Sequence, residues 1–171
     1  MRAFRYAIKN LMANSYTQIY MHIVFAVSHR ESLISEVWAD ELYRYLSGVC
    51  KNRNHFVHAI NGTADHVHML IGMNPTESVA SLLKEMKGQS SKWINEKFMN
   101  GKFRWQSGYG AFSYSRSLVP AVKRYIERQK EHHQHVSFQD ELVDILNKAG
   151  IDYNPDYIMK GFIDSNEKSR T

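Results

Sequence analysis

The chain has a single cysteine, Cys50, in 171 residues. An internal disulfide is therefore impossible, and a cysteine-rich zinc site is excluded. A reducing, cytoplasmic home follows as the default expectation. Prolines number only three, so no proline-rich linker divides the chain. No apolar run approaches the ~20 residues that span a bilayer. The longest candidate, "IYMHIVFAV" (19–27), is strand-length and carries a histidine. Repeats and low-complexity stretches are also missing. The basic opening "MRAFRYAIKNLMANSY" lacks the apolar core of a signal peptide. With Met12 close behind, residues 1–11 read as an extension outside the fold.

What is present is ordinary for a globular domain: 43% hydrophobic and 23% charged residues. The length fits one domain with a proper core. A formal charge of +5 and a sequence pI near 9.3 favour a polyanionic partner.

The chain then divides by pattern. Residues 17–27, rich in β-branched and aromatic types, predict a strand. Residues 35–53 place Val37, Leu42, Tyr45, Leu46 and Val49 near helical spacing, with Ser35 as cap. "HFVHAINGT" (55–63) and "HVHMLIGM" (66–73) predict a hairpin turning at Asn61-Gly62. Residues 75–98 form a long helical pattern capped by Thr76, with Val79, Leu82, Leu83 and Met86 apolar. After a glycine-punctuated loop (101–110), "AFSYS" (111–115) reads as a fourth strand. Residues 117–134 predict a helix that tolerates Pro120 in its first turn. Residues 137–150 predict a last helix, from Ser137 to Gly150. The order β-α-β-β-α-β followed by helices is α+β and ferredoxin-like: a two-layer sandwich with an antiparallel sheet and helices on one face.

Within the third strand, Val67, Met69 and Ile71 point one way and His66 and His68 the other. Two neutral imidazoles about 7 Å apart can converge on one ion. Alone, an H-x-H in a chain with nine histidines more often means two locally bonded strand histidines. The helix at 117–134 adds Tyr125 and Gln129, four residues apart on one helical face. A carboxamide oxygen suits a hard divalent ion, and a phenol can act as nucleophile. A single tyrosine in an amphipathic helix is nearly always packing.

The combination "HVH" on a strand, then "YIERQ" on a downstream helix, resembles the HUH single-tyrosine transposases of the insertion-sequence-200/605 type. "YTQIYMHIVFAVSHR", "DHVHMLIGMNPTESVASLLKEMKGQSSKWI" and "FRWQSGYGAFSYS" resemble the family's other core segments. The likeness covers about residues 14–135, so the domain is taken as 12–135, with 136–171 a C-terminal helix and tail. The resemblance implies Tyr125 as nucleophile and His66, His68 and Gln129 as ligands of Mg²⁺ or Mn²⁺. It implies cleavage and rejoining of hairpin-bearing single-stranded DNA through a 5′-phosphotyrosine. It also implies a homodimer that exchanges the tyrosine helix, with hinges at 107–111 and 115–120, working in a bacterial or archaeal cytoplasm and on the nucleoid when DNA-bound.

Asp65 fits two roles equally: orienting His66 or forming a turn. Lys84, Lys87 and Lys92, with Arg104 beside Trp105, are candidate contacts to single-stranded DNA. The "EHHQH" run (131–135) reads as a polar helix end. Rival readings are a replication-type HUH nickase, a domesticated repeat-associated relative, and a noncatalytic single-strand binder. An RNP-type aromatic run is missing from the third strand, which counts against the last.

Overall fold

Period-two alternation in the strands and helical stripes between them account for most of the architecture. The computed structural model describes residues 16–155 and Ile158. The 1–11 extension and most of the tail beyond residue 155 lie outside the described residues.

Four strands, β1 (Tyr20–Ala26), β2 (Phe56–Gly62), β3 (His66–Gly72) and β4 (Gly110–Tyr114), form one sheet in the order β2-β3-β1-β4. Every pairing is antiparallel. Between them run α1 (Glu36–Asn52) and α2 (Val79–Ile94). Both pack on the face bearing Ile23, Phe25, Val67, Met69 and Ile71, and this is the main core. The ferredoxin-like order is as the sequence implies. The opposite face is also covered, by α3 (Val119–Glu127), the single turn α4 (Gln129–His132) and α5 (Phe138–Lys148). Six of the seven β3 residues are consequently buried, histidines included.

Several local expectations need correction. Val37 is 93% exposed; the inward stripe of α1 begins one residue later, at Trp38, and continues through Leu42, Leu46 and Val49. Helix α2 is capped by Ser78, whose Oγ accepts from Ser81 N at 3.1 Å. Thr76 instead belongs to a turn built on Asn74 Oδ1. Asn61 and Gly62 lie inside β2, and residues 63–65 make the turn. Gly62 is required by close approach, since a Cβ there would stand 2.1 Å from the His66 carbonyl oxygen. The helix read over 117–134 breaks at Arg128 (φ −98°, ψ 14°), dividing α3 from α4. Pro120 sits in the first turn of α3, where its missing N–H costs nothing.

Candidate functional site

The site lies between the sheet and the three C-terminal helices. Strand alternation brings His66 and His68 of β3, with His22 of β1, to that face. Helix α3 supplies Tyr125, α4 supplies Gln129, and α5 supplies Glu141. His66, His68 and Gln129 are completely buried, and Glu141 is 2% exposed. All of these groups belong to one chain.

Each histidine is held by its Nδ1. His66 Nδ1 lies 2.7 Å from Asp65 Oδ1 and 2.9 Å from Thr63 Oγ1. Asp65 therefore does both things read for it: it sits in the β2–β3 turn and orients His66. His68 Nδ1 lies 2.8 Å from His22 Nε2. In both residues Nε2 is buried and makes no hydrogen bond of good geometry, and the two atoms lie within 4.8 Å of each other; Gln129 Oε1 is likewise buried and without a hydrogen bond. Buried ligand atoms left without hydrogen bonds are costly unless something binds them. Two imidazoles and a carboxamide oxygen are donors of the right chemistry for a divalent ion, so the residues present fit one.

Tyr125 stands beside them, its ring 6.2 Å from that of His68 and 6.1 Å from that of His22. Its hydroxyl donates to Glu141 Oε1. Gln129 Nε2 donates to the same oxygen at 2.8 Å. Across the break at Arg128, Tyr125 and Gln129 therefore still work on one side.

Glu141 was not singled out by sequence reasoning. The available signal is its position on the otherwise apolar stripe Phe138, Glu141, Leu142, Ile145 of α5. A carboxylate there needs an explanation. Its Oε2 faces His68 Nε2 at 3.2 Å, His66 Nε2 at 3.8 Å and His133 Nε2 at 3.1 Å. His133 thus joins the site, and the 131–135 run is more than a polar helix end. Its Nδ1 is tied to the Val136 carbonyl at 2.7 Å.

The electrostatics follow from burial and from Glu141. Burial drives His22 down to about 3, with His68 adding to the effect. Burial likewise lowers His68 to about 4, against the pull of Glu141. Burial thus favours the neutral form of both rings, the form a metal ligand requires. Burial would raise the Glu141 carboxyl, but His133, His68 and Tyr125 outweigh it and hold it below the usual range. Tyr125 is pushed well above an ordinary phenol, first by burial and then by Glu141.

The candidate DNA contacts do not gather here. Lys84 and Lys92 are exposed on α2, which covers the other face of the sheet. The Lys87 ammonium turns inward to the carbonyls of Gln106 (2.9 Å), Ser107 (3.3 Å) and Gly108 (2.7 Å). Trp105 is core, with its Nε1 donating to Ser90 Oγ at 2.9 Å and its ring against Phe25 and Phe103. Arg104 is exposed in the loop before β4. On the site side, Arg116, Lys123 and Arg124 are exposed around the tyrosine helix.

Fold and site together define a ferredoxin-like protein whose sheet carries a histidine-pair donor set against a tyrosine hydroxyl. The model of the IS200-like transposases matches residues 15–129. The chain belongs to that family, a family of DNA-processing enzymes. It is 24% identical over 121 residues to the ISDra2 transposase TnpA of Deinococcus radiodurans, covering 67% of this chain and 86% of that one. It is 29% identical over 116 residues to the transposase for insertion sequence element IS200 of Salmonella typhimurium, covering 64% and 76%. Among solved structures, a REP-associated tyrosine transposase bound to a REP hairpin superposes with a TM-score of 0.56 at 15% identity, over 86% of this chain and 90% of that one. At that identity the likeness speaks for the fold. Among the described residues, no helix is long and apolar enough to cross a membrane.

Proposed function

We propose that the protein cleaves and rejoins single-stranded DNA by transesterification, with Tyr125 as nucleophile and His66, His68 and Gln129 as ligands of Mg²⁺ or Mn²⁺. The observation that carries this reading is the meeting of two buried imidazole Nε2 atoms that lack hydrogen bonds of good geometry with the Tyr125 hydroxyl and the Gln129 carboxamide, both of which reach the same Glu141. Family membership supports the reaction class, and the hairpin held by a structural relative supports a hairpin-bearing substrate.

When bound, the ion would polarise the scissile phosphate and offset charge building on its oxygens. Asp65 and His22 hold the two imidazoles so that each turns Nε2 inward. The Tyr125 oxygen forms a bond to phosphorus, and the bond from phosphorus to the 3′-oxygen breaks. The hydrogen lost by the phenol is balanced by the one gained on the departing 3′-hydroxyl. A phenol, with an ordinary pKa of about 10, leaves more readily than an alkoxide. Another 3′-hydroxyl can therefore resolve the phosphotyrosine without ATP. Arg116, Lys123 and Arg124, exposed on and just before the tyrosine helix, are the cations we assign to the phosphate backbone. The homodimer with an exchanged tyrosine helix that the family resemblance implies belongs to this proposal.

The test is a labelled single-stranded oligonucleotide carrying a hairpin, incubated with protein and Mn²⁺ and run under denaturing conditions. A covalent adduct is expected with the wild type and none with Tyr125→Phe or with EDTA. An adduct of equal yield in Tyr125→Phe would remove Tyr125 as the nucleophile.

A further inference from the structure

Glu141 lies on α5, twelve residues past the end of the family match at Gln129. It is sealed among Phe138, Leu142 and Ile145, where an uncompensated carboxylate is strongly unfavourable. Its two oxygens face different groups. Oε2 looks at the Nε2 atoms of His68, His133 and His66, at 3.2, 3.1 and 3.8 Å. Oε1 accepts from the Tyr125 hydroxyl and from Gln129 Nε2. Neighbouring ligand atoms on an ion with bonds near 2.1 Å stand about 3.0–3.4 Å apart. The ligand atoms of His66, His68, His133 and Glu141 all fall within 4.8 Å of one another, so little closure is needed. The Nε2 atoms of His66 and His68 are buried, make no hydrogen bond of good geometry and lie within 4.8 Å of each other.

We propose that Glu141 is a further ligand of the divalent ion through Oε2 and, through Oε1, the positioning residue that holds Tyr125 beside it. This rests on the metal site of the proposed function. His66, His68 and Gln129 are neutral donors; Glu141 alone brings a full negative charge. A two-imidazole, carboxamide and carboxylate set binds a divalent ion more tightly than the three neutral donors can. It also suits Mn²⁺, which accepts both nitrogen and oxygen ligands. One side chain then couples ion and nucleophile, so that loading the site also fixes the phenol.

The test uses the full chain without DNA. Metal-free protein is titrated with Mn²⁺ and binding is read by calorimetry and by loss of the free-ion electron paramagnetic resonance signal. Wild type is expected to take one ion per chain. Glu141→Gln, which keeps the size and an oxygen for Tyr125, should bind at least tenfold more weakly. Lys84→Ala, exposed on α2 across the sheet from the site, should bind as wild type does. Glu141→Asp, which keeps the charge but withdraws it, should also weaken binding, and it serves if the glutamine variant does not fold. Binding by Glu141→Gln within twofold of wild type, or no Mn²⁺ bound by wild type, would overturn the assignment. Failure of wild type to form a DNA adduct would instead defeat the transesterase reading, while the metal titration would still stand on its own.

Discussion

Nε2 of His22 on β1 and Nδ1 of His68 on β3 lie 2.8 Å apart, with the two rings stacked at 5.1 Å. His22 is paired in register with Leu70, so His68 is its diagonal neighbour on the same face of the sheet. If His68 donates from Nδ1, its Nε2 is left as a lone pair 3.2 Å from Glu141 Oε2, and His22 then sets the tautomer in which His68 can bind an ion through Nε2.

His22→Phe keeps the stacked ring and removes the acceptor. Mn²⁺ affinity should fall on the order of 10–100-fold, the usual cost of losing such an outer partner. His22→Gln, which can still accept, should recover part of it. Calorimetric titration of metal-free protein checks both.

Asp65 does the same for His66 through its Oδ1 at 2.7 Å. Asp65→Ala should weaken Mn²⁺ binding to a similar degree and should also loosen the turn, because Thr63 Oγ1 donates to the same carboxylate oxygen. The thermal midpoint of the metal-free variant should drop with the affinity. An unchanged affinity would leave Asp65 only its role in the turn.

Far from the site, Glu77 binds Arg53 through both oxygens and His55 Nε2 at 2.8 Å. The Arg53 hydrogen bond leads in holding its carboxyl down, at about 2, with His55 and Ser81 assisting. A carboxyl depressed in the folded state stabilises above its unfolded pKa, and that stability is lost as pH falls through the folded value. The stability advantage of wild type over Glu77→Gln should therefore be full at pH 6 and shrink from about pH 4.5 toward pH 2. Urea denaturation of both proteins across that range measures it.

Lys87 was a candidate for phosphate contact, yet its ammonium is spent on three loop carbonyls, and burial lowers it to about 8. Lys87→Met should cost about 1–3 kcal/mol of stability by orphaning those carbonyls. It should leave the salt dependence of DNA binding as it is. Arg124→Ala, from the exposed site face, should instead reduce the slope of log affinity against log salt by about one contact, or ~0.7 for single strands. Filter binding at several salt concentrations separates the two.

Much of this protein was legible in its residues, for reasons that are local. The alternation Val67, Met69, Ile71 against His66, His68 needs only the two-residue period of a strand, and the sheet honours it. Ser35 and Ser137 cap the helices they were read to cap, because capping is decided within three residues. The pairing of Tyr125 with Gln129 needs only one helical turn, and it survives the break at Arg128.

What escaped was decided by distant segments meeting. Nothing near Gly62 in sequence says that the His66 carbonyl closes over it, so a dipeptide with turn chemistry was placed in a turn it does not make. Trp105 and Lys87 look like nucleic-acid contacts in isolation, and packing turned both inward. His22, His133 and Glu141 come from β1, the end of α4, and α5, and no period in the chain relates them to the histidine pair. Only the tertiary structure, by laying α5 across the second face of the sheet, put a charged carboxylate between those rings and the tyrosine. Side-chain periodicity is a property of one element, whereas a ligand set is a property of several elements docked together.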